Sequence, residues 1–254
     1  MLEQYIRSER QKKPILLMTH IVLGYPSFQA SMDIVDAMVE AGVELIELQI
    51  PFSEPMADGP VILQANQRAL HAGATVERCF EVAATLAKRH PQIPLLFMTY
   101  YNIAFKRGVR QFATDASAAG LRGAIIPDLP HEEGQELFAA MREQKLEPIL
   151  LFSPSTSDAR MREIATHQSG FIYTVARKGV TGARTDFSSL DPYLARCRAA
   201  TKLPLALGFG VKDHQDVSEL IGKVDIAVVG SQTIKVIDEQ GSAHVKDFIQ
   251  SLRG

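Results

Sequence analysis

Short apolar runs alternate with longer amphipathic stretches along the chain. Eight runs stand out: Ile15 to Val22, Leu45 to Ile50, Pro94 to Met98, Gly123 to Ile126, Pro148 to Phe152, Gly170 to Val175, Pro204 to Leu207 and Val224 to Val229. Several are apolar almost without interruption, as expected of parallel strands covered on both faces. Between them, SMDIVDAMVEAG, VERCFEVAATLAKRH, EEGQELFAAMREQ and VSELIGK space their apolar residues as helices do. Capping or early acidic residues mark the starts: Ser27 with Asp33, Thr75 with Glu77, Asp128 with Glu132, and Ser157 with Asp158. Eight strand–helix alternations in 254 residues predict an α/β fold, a (β/α)8 TIM barrel with extra short helices. An open doubly wound sheet is the alternative that the pattern leaves. No long linker interrupts residues 1–254, so one domain is expected. Two connections exceed what packing requires, Pro51 to about Asn66 and Ala176 to about Asp186, and long loops in compact domains are usually functional.

Composition narrows the setting. A formal net charge of −2 gives no electrostatic reason to expect nucleic acid or an anionic membrane as partner. The two cysteines, Cys79 and Cys197, fall in helix-like segments and read as free thiols. The opening MLEQYIRSERQKKP lacks the apolar core of a signal peptide, and no apolar run approaches the roughly 20 residues that span a bilayer. A soluble protein of a reducing compartment, the cytoplasm, is expected.

Sites in such barrels form where the strands end. On the second run Leu45, Glu47 and Gln49 share one face, opposite Ile46, Leu48 and Ile50. The aliphatic face should meet the helices, which turns Glu47 and Gln49 into the lumen. A second acid, Asp58, follows in a loop bounded by Pro55, Gly59 and Pro60. Two carboxylates in different settings can hold an acid and a base side by side. The plainer readings are a satisfied buried Glu47 and a turn-forming Asp58. Gly208-Phe209-Gly210 and Gly230-Ser231 lie after the seventh and eighth strands, and the second pair opens a short helix, SQTIKVID. Backbone approach and a helix N-terminus together predict a phosphate site. Tyr173 reads equally as core, His20 as a packed or hydrogen-bonded histidine, and Arg177 and Lys178 as loop charges. Asp128 is a helix cap or a partner contact. The runs carry no interior lysine for Schiff-base chemistry, no converging metal ligands, and neither a nucleophile elbow nor a dinucleotide fingerprint. Metal-free acid/base chemistry on a phosphorylated small molecule is what remains.

LGYPS at 23–27, ELQIPFSEPMADGP at 47–60, the region of Tyr100 and Asn102, IPDLP at 126–130, GVTGAR at 179–184, GFG at 208–210 and GSQTIK at 230–235 resemble, in order and spacing, the alpha subunit family of tryptophan synthase. The resemblance implies a cofactor-free cleavage of indole-3-glycerol phosphate to indole and glyceraldehyde 3-phosphate in tryptophan biosynthesis. It implies Glu47 as the general acid/base and Asp58 as acceptor of the indole N–H. Tyr173 would support Glu47 or the substrate, with Gln49, Tyr100 and Thr181 on the substrate side and Thr181 meeting the Asp58 loop on closure. Gly182, Gly210, Gly230 and Ser231 would hold phosphate, beside Gly208 and Phe209. Pro51, Asn102 and Asp128 would face a pyridoxal-phosphate beta subunit in an alpha2beta2 heterotetramer.

Two departures from the family pattern stand out. Gln49 replaces the usual glycine, and its amide is expected to donate to Glu47 or to touch substrate. His20-Ile21-Val22 replaces an aromatic residue and a threonine, so ring contacts there change. A stand-alone indole-releasing lyase and a weakly catalytic allosteric partner are the alternative functions; a sugar-phosphate isomerase is the reading left if the resemblance misleads.

Overall fold

The computed structural model describes residues 2–175, 190–208 and 210–254. Among them the strands are β1 (Leu16–Val22), β2 (Leu45–Gln49), β3 (Leu95–Met98), β4 (Gly123–Ile125), β5 (Glu147–Ile149), β6 (Leu151–Phe152), β7 (Ile172–Thr174), β8 (Leu205–Leu207) and β9 (Ile226–Val229). All ladders are parallel, in the order β5-β4-β3-β2-β1-β9-β8-β7-β6. The two ends of that order are halves of one run. β5 pairs with β4, β6 pairs with β7, and only Leu150 separates them, so the sheet curls into a barrel. The break has a cause. The Leu150 N–H donates to Gln168 Oε1 at 2.9 Å, while its carbonyl accepts from Tyr173 N at 3.1 Å. The Gln168 amide thus stands in for a missing ladder bond where the strand changes partner. All eight expected runs become strand, the fifth in two pieces.

The helices are α1 (Leu2–Arg10), α2 (Phe28–Glu40), α3 (Pro60–His71), α4 (Val76–Arg89), α5 (Tyr101–Arg107), α6 (Val109–Ala118), α7 (Gln135–Glu143), α8 (Asp158–Thr166), α9 (Asp191–Ala200), α10 (His214–Leu220), α11 (Ser231–Gln240) and α12 (Val245–Ser251). Ser27, Thr75 and Ser157 cap α2, α4 and α8 as expected, accepting from Ala30, Arg78 and Arg160 N–H at 3.1–3.2 Å. Asp128 does not cap α7. Its two carboxylate oxygens accept from Tyr101 N at 3.0 and 3.1 Å, so it caps α5 from the neighbouring loop.

Alternation sorts the core into two layers. Ile46, Leu48 and Ile50 pack outward with Ile21, Phe97 and the helices. Leu16, Met18, Leu45, Leu96, Ile125, Ile149 and Ile226 fill the lumen. The first helix, which the apolar pattern did not reveal, closes the N-terminal end of the barrel: Leu2 and Ile6 join the lumen cluster, and Tyr5 Oη donates to the Glu44 carbonyl at 3.0 Å. Glu44 itself is buried there. It accepts from Leu17 N at 2.7 Å, from Arg253 at 2.8 Å, and from Lys13.

The long connection after β2 is shorter than expected. Gly59 and Pro60 start α3 at residue 60, with proline in the first turn where its missing N–H costs nothing. Asn66 lies on that helix and reaches back: its Oδ1 accepts from Phe52 N at 2.9 Å, and its Nδ2 donates to the Ile62 carbonyl at 2.8 Å. The base of the loop is therefore pinned. Arg68, one half-turn further, donates to Tyr25 Oη at 2.6 Å and to Asp238 at 2.9 Å, tying α3 to α11. The other long connection, with Arg177, Lys178, Thr181 and Gly182, lies outside the described residues, as does Phe209.

Candidate active site

The C-terminal mouth of the barrel gathers acids and glycines from separate strands. Parallel pairing of β1 and β2 sets His20 directly beside Glu47. Both are buried, at 3% and 2% exposure. His20 Nδ1 and Glu47 Oε2 are 3.0 Å apart, while Glu47 Oε1 has no hydrogen-bond partner. The contrast with Glu44, three residues earlier on the same segment, is informative. Glu44 engages both its oxygens and sits at the stability end of the barrel. Glu47 keeps one oxygen free at the end where sites form.

Gln49, two residues nearer the mouth, is fully buried and does not reach Glu47 as expected. Its Nε2 donates to Asp58 Oδ2 at 2.7 Å, because the loop after β2 folds back over the strand end. Tyr100 Oη donates to the same carboxylate oxygen at 3.2 Å and accepts from Ala57 N at 3.1 Å. Its ring stacks on Phe52 with centroids 5.0 Å apart. Tyr100 thus holds the Asp58 loop. Burial raises the Asp58 carboxyl above its ordinary value, against the opposing pull of His20, Gln49 and Tyr100. Tyr173, half-buried on β7, has a hydroxyl pushed well above its usual range by burial and by the charges of Glu47 and Asp58. It therefore lies within the field of both acids.

The glycines occupy neighbouring strand ends, since β8 pairs with β9. Gly208 has a specific steric reason: a Cβ there would overlap the Tyr173 ring. Gly210 takes a positive φ of 87°, open to glycine. Gly230 and Ser231 begin α11, which has no side-chain cap, and Gly230 lies against His20. An uncapped N-terminus offers free N–H groups to an anion. Of the remaining expected positions, Asn102 is exposed, Asp128 is half-buried on Tyr101, and Pro51 is buried within the chain. A separate cluster of His131, Glu132 and Glu163 brings ligand-type atoms within 4.8 Å, but the Arg160 guanidinium pairs with both carboxylates and meets their charge.

His20 is the packed and hydrogen-bonded histidine that the sequence led one to expect, and its partner is Glu47. Its signal was positional: Leu16, Met18 and His20 share one parity on β1, so a lumenal histidine faces whatever the next strand carries.

A sequence model described as Tryptophan synthase alpha chain matches residues 6–252. The chain belongs to the tryptophan synthase alpha chain family. A Tryptophan synthase alpha chain of Desulforapulum autotrophicum is 61% identical over 253 residues, covering 99% of this chain and all of that one. Its counterpart in Syntrophotalea carbinolica is 59% identical over 254 residues, covering both chains in full. Among solved structures, tryptophan synthase subunit alpha from Legionella pneumophila superposes with a TM-score of 0.92 at 28% identity, covering 99% of this chain and 96% of the other. Tryptophan synthase from Mycobacterium tuberculosis in its aminoacrylate-bound form gives 0.90 at 28% identity, with 99% and 97% covered. As an alpha chain, the protein is a carbon–carbon lyase of tryptophan biosynthesis.

Proposed function

We propose that Glu47 and Asp58 carry out the family's reaction, cleavage of indole-3-glycerol phosphate to indole and glyceraldehyde 3-phosphate. The observation that carries this reading is the buried Glu47 carboxylate with one oxygen unpartnered, facing the same mouth as Asp58 and the glycines. Glu47 delivers a proton to the indole ring carbon that bears the glycerol chain. The Glu47 carboxylate, now deprotonated, takes the proton of the adjacent hydroxyl as the carbon–carbon bond breaks to leave an aldehyde, and the bonding pair returns to the ring. Positive charge grows on the ring nitrogen during protonation. Asp58 accepts the N–H there, and a fixed carboxylate is worth most where water is excluded. Gly210, Gly230 and Ser231 hold the phosphate, with Gly208, Phe209 and Gly182 around it. Tyr173 supports Glu47, and Thr181 closes on the Asp58 loop. No cofactor is needed for these steps.

The partner is a beta subunit that receives the indole and carries pyridoxal phosphate. Large apolar side chains at the mouth support a docking surface: Met56, on the Asp58 loop, is 76% exposed, and Phe105, on α5 with Asn102, is 66% exposed. Among the described residues no helix is long and apolar enough to cross a membrane, and we place the chain in the cytoplasm.

Indole release by the wild type and by Glu47→Gln tests the assignment. The amide keeps the shape and cannot give the proton, so turnover should fall roughly 10²–10⁴-fold. Near-normal turnover removes Glu47 from the mechanism. Co-elution with a beta subunit tests the partner; failure to associate leaves a stand-alone lyase.

A further inference from the structure

Three buried side chains at the mouth each leave one polar atom unpartnered: His20 Nε2, Glu47 Oε1 and Gln49 Oε1. Buried polar atoms without partners are uncommon, and three on adjacent strands mark a place where protons or a ligand are handled. The remaining polar atoms of these residues are committed. His20 Nδ1 meets Glu47 Oε2 at 3.0 Å, and Gln49 Nε2 meets Asp58 Oδ2 at 2.7 Å. We propose that His20 is a positioning residue that holds Glu47 by one oxygen, beside the Gln49 that holds Asp58, so that the charge on the His20 ring is coupled to the acid it holds. This deepens the lyase reading and rests on it.

The geometry assigns each atom a task. With Nδ1–H donating to Oε2, the Glu47 carboxyl is fixed in rotation and its Oε1 is left for the substrate. The same bond makes His20 either the Nδ1–H tautomer or the imidazolium. Gln49 is oriented by Asp58, which takes its NH2 side and leaves the carbonyl oxygen free. Burial alone would lower the His20 pKa. The Glu47 hydrogen bond and charge, the Asp58 charge and the Gln49 side chain together outweigh burial and hold it above the ordinary value. Among the described residues, the titratable groups around the pair are Glu47 on β2, Asp58 on the following loop with Tyr100 behind it, and Tyr173 on β7. At the β9–α11 corner Gly230 lies against His20, and Ile62 of α3 lies beside that glycine.

Two measurements on the full chain decide the matter. The first follows the His20 ring by NMR as pH is varied, in the wild type and in Glu47→Gln, without substrate. His20 should titrate above the free-imidazole value of about 6.5, and its proton affinity should drop at least tenfold in Glu47→Gln. Equal midpoints overturn the coupling. The second compares pH profiles of indole release for His20→Asn and His20→Phe. His20→Asn keeps a donor where Nδ1 was but cannot titrate, so one limb of the profile should move while kcat falls less than in His20→Phe. His20→Phe keeps a flat ring without the donor, and kcat should fall at least about tenfold with KM little changed. A His20→Asn profile superimposable on the wild type, or a His20→Phe enzyme with wild-type kcat, overturns the proposal. If the wild type releases no indole, the lyase reading fails by itself, and the NMR titration still decides the coupling.

Discussion

Asp58 illustrates how one side chain serves two opposed demands. Its carboxyl is raised by burial, so between the unfolded value of about 3.9 and the native value the folded chain binds the extra proton. Linkage then makes stability fall as pH rises through that window, and the loss persists above it. Asp58→Asn keeps an acceptor for Gln49 and removes the titration. Its urea midpoint should exceed that of the wild type at pH 7 and lose that advantage near pH 3.5, while indole release collapses. A wild-type-to-variant difference that does not vary with pH would refute the linkage. Gln49→Gly removes the amide that holds Asp58, and its pH–rate profile should differ from the wild type; identical profiles would show that the amide is idle. The lumen placement of Glu47 and Gln49 was legible from alternation, because a period of two allows only two faces. The partner of Gln49 was not legible. It depends on a loop folding back onto the strand end, and nothing local to the strand encodes that return.

Elements deliver these residues by pairing and by steric exclusion. The eight strands were readable because fully covered parallel strands carry continuous apolar runs. The interruption at Leu150 was not, since the cue is a distant glutamine supplying one hydrogen bond. Likewise Asp128 looked like the cap of the helix that follows it, yet it caps α5 from across the β3–β4 ladder. Proximity in sequence misleads wherever loops at one end of a barrel contact each other. The adjoining strands β7 and β8 yield a sharp test. Gly208→Ala places a methyl where the Tyr173 ring lies, so the ring must leave the mouth. Indole turnover should drop at least about tenfold with the far-ultraviolet spectrum unchanged, given how strongly misplacement near a reacting centre costs rate. Normal turnover would mean that Tyr173 has no part in catalysis.

At the scale of the whole molecule, function and stability occupy opposite ends of the barrel. Glu44 gathers a backbone N–H from β1, Lys13 ahead of β1 and Arg253 after α12. Glu44→Ala leaves two cations and an amide without their acceptor. It should cost about 2–3 kcal/mol in urea unfolding, less than the ~3–5 of a fully buried pair because Lys13 and Arg253 keep some access to water. Indole release at 25 °C should be unaltered; a variant as stable as the wild type would show the clamp to be ornamental. The clamp also bears on how the chain is made. Arg253 lies 209 residues beyond Glu44, and at the roughly 5–20 residues per second of protein synthesis the carboxylate waits on the order of ten seconds or more for that guanidinium. A nascent chain can assemble its early strands on the ribosome, but this latch is fastened only after residue 253 has been made.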